Sequence, residues 1–186
     1  GRIGQAVASR ARAFDMRVVG FDPFLATERA SELGVELVGS VREMLPEVDY
    51  LTVHTPLTAE TRYLIGKEEL AILKPGVRLI NCARGGIYDE QALLEGLQSG
   101  SIAGVALDVF ENEPCTESPL FDQPGVLVTP HLGASTEEAQ SQVAIEGVNL
   151  LTDFLRTGTV RHSVNSSPID PAALEGVRGF LDLGWR

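Results

Sequence analysis

Apolar positions along the chain follow two alternating rhythms. Ile3, Val7, Ala11 and Phe14 lie at near-helical spacing, so a helix opens directly after Gly1. Next comes Arg17-Val18-Val19-Gly20-Phe21, a β-branched run that predicts a strand ended by Asp22-Pro23, because proline cannot continue a central strand. Residues 27–33 predict a helix and 34–37 a short strand. Ser40 followed by Glu43 has the spacing of a capping box, which predicts a helix from Ser40 to about Leu45. Residues 50–54 predict a buried strand closed by Thr55-Pro56, 67–73 a helix stopped by Lys74-Pro75-Gly76, and 77–81 a further strand. Asp89 is the expected N-cap of a helix reaching Ser99, with Gly100 as its stop. Residues 103–107 and 126–129 predict the last two strands, and 135–157 a long amphipathic helix ended by Gly158.

Short strands alternating with longer helices predict an α/β domain on a mostly parallel sheet. After residue 158 the pattern changes. Ser166-Ser167-Pro168 and Asp170-Pro171 precede a helix-like run to Trp185, which reads as the start of a further domain. The expected division is therefore a domain at 1–134, a connecting helix at 135–158 and the opening of another domain at 159–186.

Composition narrows the class. The chain has 186 residues, 44% of them hydrophobic, enough for a sizeable buried core. No apolar run reaches the ~20 residues that span a bilayer, so no membrane partner is expected. A net charge of −11, with 15 scattered lysines and arginines, disfavours nucleic acid as a partner. Cys82 and Cys115 form no CxxC pair, which fits a reducing compartment, the cytoplasm. His54, His131 and His162 have no metal-ligand spacing with them, so no metal is expected.

Two groups of residues carry candidate chemistry. Gly1-x-x-Gly4 opening a helix matches the second half of the dinucleotide fingerprint GxGxxG. One glycine lets the backbone approach a pyrophosphate and the other lets the helix pack against its strand. Asp22, at the end of the following strand, is placed to accept hydrogen bonds from an adenosine ribose and to repel a 2′-phosphate, which favours NAD over NADP. The fingerprint's first glycine and the strand before it do not occur in the sequence. The expected fold is thus a Rossmann-like doubly wound parallel sheet lacking its first strand, and the isolated chain is expected to bind NAD poorly.

The second group is Arg84, Glu113 and His131, which follow three different predicted strands. Ligands of open α/β sheets bind beyond the carboxyl ends of the strands, where all three fall with Asp22 and Thr55. A guanidinium grips a carboxylate with two parallel hydrogen bonds. An imidazole titrates near neutrality and can take a hydroxyl proton, while a carboxylate on its other nitrogen fixes its tautomer. Singly, each residue reads better as a loop or surface residue. Their joint placement after successive strands favours oxidation of a 2-hydroxy acid.

With these segments in view, the chain resembles the D-isomer-specific 2-hydroxyacid dehydrogenase family over roughly residues 1–160. The resemblance rests on Gly1-Arg2-Ile3-Gly4, His54-Thr55-Pro56-Leu57, Asn81-Cys82-Ala83-Arg84-Gly85-Gly86, Ala106-Leu107-Asp108-Val109-Phe110 and Pro130-His131-Leu132-Gly133. It implies that Arg84 binds the substrate carboxylate, His131 is the general acid/base and Glu113 orients it. It implies further that Arg2 and Ile3 present N–H groups to the pyrophosphate, Asp22 holds the ribose, and Thr55 and Pro56 line the adenine end. Cys82, Ala83 and Asp108 would contact the nicotinamide side, with Gly133 and Ala134 packed beside it. Tyr88 stands where the family commonly has an aliphatic residue.

Within the family, Gly133-Ala134-Ser135-Thr136 followed by Glu138-Ala139-Gln140 resembles members that oxidise 3-phospho-D-glycerate to 3-phosphohydroxypyruvate, the first step of L-serine biosynthesis. Such members imply a small-molecule 2-hydroxy acid substrate and a homo-oligomer in the full-length form. Two alternatives share the catalytic set: dehydrogenases of glycerate, glyoxylate or lactate, and NAD-sensing corepressor-type binding modules.

Overall fold

A computed structural model of the chain describes residues 1–164. The expected helix-like run to Trp185, and most of the expected further domain at 159–186, lie outside the described residues. The chain divides into two compact units, Gly1–Gly133 and the part from Ala134 onward.

The first unit alternates helices and strands in the expected order. Its helices are α1 (Arg2–Ala13), α2 (Thr27–Leu33), α3 (Val41–Met44), α4 (Lys67–Leu70) and α5 (Glu90–Ser99), and its strands are β1 (Val19–Gly20), β2 (Glu36–Leu37), β3 (Tyr50–Val53), β4 (Val77–Asn81), β5 (Ile102–Leu107) and β6 (Val126–Val128). Every strand pair is parallel. β1 pairs with β2 in a two-stranded sheet, and β3-β4-β5-β6 form a four-stranded sheet in that order. The carboxyl ends of β3 to β6 therefore lie side by side, and the loops that leave them converge.

The core gathers on the four-stranded sheet. Leu51, Val53, Val77, Leu79, Val105 and Leu107 are buried strand residues, and Ile65, Ile87 and Leu93 pack with them. Helix α5 closes over β5 because Ala92, Leu93 and Gly96 form its buried side. Gly96 has to be small: a Cβ there would lie 2.4 Å from Ile102 Cδ1. Tyr88 occupies the core fully, and its hydroxyl lies 3.2 Å from Leu51 O and 3.1 Å from Ile80 O. The phenol thus fills an apolar site while its polar end bonds β3 and β4.

Local chemistry sets the element ends. Asp89 caps α5, accepting from Gln91 N at 3.0 Å and Ala92 N at 3.2 Å, and Gly100 ends the helix at φ 76°. Several expectations shift. β1 is limited to Val19–Gly20 because β2 offers only two partners, and Arg17 instead binds Glu36 and Glu47 through its side chain. The capping box at Ser40 does not form: Glu43 accepts from Gly39 N at 2.9 Å, and the Ser40 hydroxyl bonds the Glu43 carboxylate at 3.2 Å, leaving the helix-end amides without its oxygen. α4 stops at Leu70, before the expected Leu73, as the chain turns toward Lys74-Pro75-Gly76. On α1 the buried residue is Ala8, while Ile3, Val7 and Phe14 are exposed.

The second unit contains α6 (Glu137–Thr157), capped by the Thr136 hydroxyl accepting from Ala139 N at 3.1 Å and ended by Gly158 at φ 71°. It begins after the expected Ser135 because Thr136 takes the cap. No helix among the described residues is long and apolar enough to cross a membrane.

Candidate active site

The β4 loop presents Arg84. Asn81, the buried last residue of β4, accepts from Ala83 N at 2.9 Å and donates from Nδ2 to Arg84 O at 2.8 Å. One amide side chain thereby folds the loop so that Arg84 projects outward, exposed, with Nη1 donating to Ala83 O at 2.6 Å. Gly85 follows where no side chain fits: a Cβ would lie 1.8 Å from Phe110 O and 2.6 Å from Glu111 N. The backbones of the β4 and β5 loops are therefore in direct contact.

The β5 loop begins at Asp108, which is 5% exposed. Its Oδ1 accepts from the Thr129 hydroxyl at 2.5 Å and Leu132 N at 2.7 Å, and its Oδ2 from Gly133 N at 3.1 Å. Burial pushes this carboxyl up, but the hydrogen bonds from Thr129, Leu132 and Gly133, aided by His131, outweigh it and hold its pKa below the ordinary aspartate value. Asp108 thus clamps both sides of His131 in the β6 loop. Farther along the β5 loop, Glu113 accepts from Phe110 N at 3.0 Å through Oε1 and meets His131 Nδ1 at 2.7 Å through Oε2.

His131 adopts φ 56°, left-handed backbone that is uncommon outside glycine. The clamp from Asp108 and the bond to Glu113 hold it there. The Glu113 carboxyl, raised by burial, is pulled below its ordinary pKa by the His131 hydrogen bond, then by Phe110 N and the His131 charge. An ionised carboxylate only accepts, so the proton shared with Glu113 sits on Nδ1, and Nε2 is the basic nitrogen of that tautomer. Arg84, Gly85, Glu111, Glu113 and His131 line one open cleft of about 220 Å³, with Leu57 and Phe110 as its apolar wall.

A second group assembles at α1. The first helical bond runs from Gln5 N to Gly1 O, so the N–H groups of Arg2, Ile3 and Gly4 precede it and form the positive end of the helix. A Cβ on Gly1 would meet nothing within 4 Å, whereas one on Gly4 would lie 3.6 Å from His54 Cβ and Cδ2. Asp22 Oδ2 lies 2.8 Å from Gly1 N, and its Oδ1 accepts from Phe24 N at 3.0 Å. Open backbone donors beside an ionised carboxylate fit a dinucleotide's pyrophosphate and ribose. Thr55 and Pro56 follow β3, with Pro56 O accepting from the Thr61 hydroxyl at 2.6 Å. Cys82 is exposed, and partial burial of its thiol, then the nearby Asp108 charge, raises its pKa. Ala83 packs on the core, and Ala134 O accepts from Gln140 Nε2 within the second unit. Among the described residues, no three His, Cys, Asp or Glu side chains are grouped so as to hold a metal ion.

Sequence reasoning assigned no role to Asn81, although it stands inside a quoted motif. Its signal is a polar residue closing an otherwise apolar strand.

Residues 1–133 match the family described as D-isomer specific 2-hydroxyacid dehydrogenase, NAD binding domain. The chain belongs to that family. It is 54% identical over 165 residues to D-3-phosphoglycerate dehydrogenase of Bacillus subtilis, covering 89% of this chain and 31% of the relative. It is 43% identical over 183 residues to D-3-phosphoglycerate dehydrogenase of Methanocaldococcus jannaschii, covering 98% of this chain and 35% of the relative. The chain thus spans about a third of the length of these relatives. Among solved structures, a glyoxylate reductase from Paecilomyes thermophila superposes with TM-score 0.79 at 38% identity, over 89% of this chain and 50% of the other. The NAD-complexed D-isomer specific 2-hydroxyacid dehydrogenase of Lactobacillus delbrueckii ssp. bulgaricus superposes with TM-score 0.79 at 31% identity, over 89% of this chain and 54% of the other. The sheet is accordingly of the Rossmann type found in 2-hydroxyacid dehydrogenases.

Proposed function

We propose that this chain carries the NAD site and catalytic residues of an enzyme that oxidises 3-phospho-D-glycerate to 3-phosphohydroxypyruvate, the first step of L-serine biosynthesis. The observation that carries the reading is the 2.7 Å His131–Glu113 bond in one cleft with Arg84. The phosphorylated substrate rests on the relatives named D-3-phosphoglycerate dehydrogenase at 43–54% identity.

Each residue has a defined task. Bound NAD supplies the acceptor for the C2 hydrogen. Arg84 pairs with the substrate carboxylate and polarises the C2 oxygen. His131 Nε2 takes the C2 hydroxyl proton as the C–H bond breaks, and Glu113 steadies the imidazolium that forms. Gly1, Arg2, Ile3 and Gly4 hold the pyrophosphate, Asp22 the ribose, and Thr55 and Pro56 the adenine end. Cys82, Ala83, Asp108, Gly133 and Ala134 border the nicotinamide. Residues 1–134 act as the NAD-binding domain, 135–158 as a connecting helix and 159–186 as the start of a further domain. The full-length protein is a cytoplasmic homo-oligomer in this reading.

The test is NADH formation by the full-length protein. Faster turnover of 3-phospho-D-glycerate than of D-glycerate supports the proposal. Equal turnover of both overturns the substrate assignment, and NAD binding without turnover of any D-2-hydroxy acid favours a sensing module.

A further inference from the structure

Glu90 is the first residue of α5 and is half-buried, next to Asp89 and facing the β5 loop. Its Oε1 accepts from Glu111 N at 2.7 Å. The preceding amide, Phe110 N, donates to Glu113 Oε1 at 3.0 Å, and Glu113 Oε2 meets His131 Nδ1 at 2.7 Å. Two adjacent amides of one loop are thus held by two carboxylates, the first on a helix and the second against the imidazole.

The helix end is firm. Leu93 is fully buried, and Asp89 N donates to Ile65 O at 3.0 Å within the core. Residues 111–114 are exposed, and the loop is anchored just ahead of them, by Gly85 against the Phe110–Glu111 backbone and by Glu90 on Glu111 N. The Glu90 bond is therefore one of two contacts that set where the exposed stretch sets out toward Glu113. Burial raises the Glu90 carboxyl above its ordinary pKa, and the nearby charges of Glu111 and Asp89 push the same way against the opposing Glu111 N–H bond. The Glu111 carboxylate has its own partner, accepting from the Tyr63 hydroxyl at 3.0 Å. A carboxylate placed among other carboxylates gains little as surface charge, and its definite contact is the loop amide.

We infer that Glu90 is a positioning residue: by holding the Glu111 amide it sets the Phe110–Glu113 loop that aims Glu113 at His131. The inference rests on the dehydrogenase reading for its kinetic consequence, while the geometry it invokes does not.

The test compares Glu90→Ala and Glu90→Gln in the full-length protein. Glutamine keeps a side-chain oxygen that accepts from Glu111 N, and alanine does not. Glu90→Ala is expected to lower kcat about tenfold or more, with KM for NAD unchanged, because loop misplacement loosens the general base. Glu90→Gln is expected to restore kcat to within about threefold of the unaltered protein. Nitrogen-15 histidine spectra supply a readout that needs no turnover: the downfield Nδ1 proton of His131, bonded to Glu113, should persist in Glu90→Gln and broaden or move upfield in Glu90→Ala. An unchanged kcat and an unchanged Nδ1 signal in Glu90→Ala overturn the inference. Equal losses in both variants overturn it too, since the effect would then follow charge and not the bond. If the unaltered protein oxidises no D-2-hydroxy acid, the dehydrogenase reading fails, and the Nδ1 signal still decides the role of Glu90.

Discussion

Asp108 makes three hydrogen bonds to the loop around His131, and its charge is part of the fold. Its pKa and that of Glu113 are depressed in the folded state. The sign follows directly. Stability from such groups is fully present above the ordinary carboxyl range of about 4 and is lost as pH falls through the lower folded values. Denaturant titrations between about pH 6 and about pH 2 should show this acid loss, and Asp108→Asn should flatten part of it. The substitution should also cost about 2–4 kcal/mol near neutrality, because an amide has one acceptor oxygen where three donors converge. An Asp108→Asn protein as stable as the original, with the same acid profile, would contradict the clamp. At this scale the sequence was partly legible. Arg84, Glu113 and His131 stood out because their chemistry and their places after strands agree. Asp108's grip on Leu132 and Gly133, and Glu90's on Glu111, were not legible, because each joins segments far apart in the chain.

Elements that depend on local chemistry follow the sequence closely. Asp89 and Gly100 bound α5, and Thr136 and Gly158 bound α6, through contacts within a few residues. Where a side chain had a choice of partner, pattern alone misled. Glu43 has the capping-box spacing to Ser40, yet it reaches Gly39 N, which spacing cannot distinguish. Strand lengths also depend on partners, and β1 is short because β2 is. Between elements, the tightest approach is Gly85 against the Phe110–Glu111 backbone, at 1.8 Å for an added Cβ. The obstacle is backbone, not the end of a flexible side chain, so the two loops must separate. Gly85→Ala should destabilise by about 1–3 kcal/mol and move Arg84 away from Glu113. Its kcat should fall more than tenfold, whereas Gly76→Ala, where a Cβ meets nothing within 4 Å but φ is 83°, should lose stability and keep kcat. Paired kinetics and denaturation of the two variants check this. Unimpaired turnover in Gly85→Ala would contradict the loop contact.

Across the whole first unit, the residues proposed to hold the pyrophosphate and ribose lie on different elements from those proposed for the chemistry. The α1 end and Asp22 form one cluster, and the loops after β4, β5 and β6 form the other. The separation makes two opposite variants. Asp22→Ala should weaken NAD binding about tenfold and narrow the preference against NADP, with kcat at saturating NAD nearly kept. Loss of kcat without loss of affinity would contradict the ribose role. His131→Asn is the converse and tests the central claim most directly. In the full-length protein its kcat on 3-phospho-D-glycerate should fall about 10²–10⁴-fold, while calorimetry should find the NAD Kd within about twofold of the original. A kcat within a few-fold of the unaltered enzyme would contradict the assignment of His131 as the general acid/base.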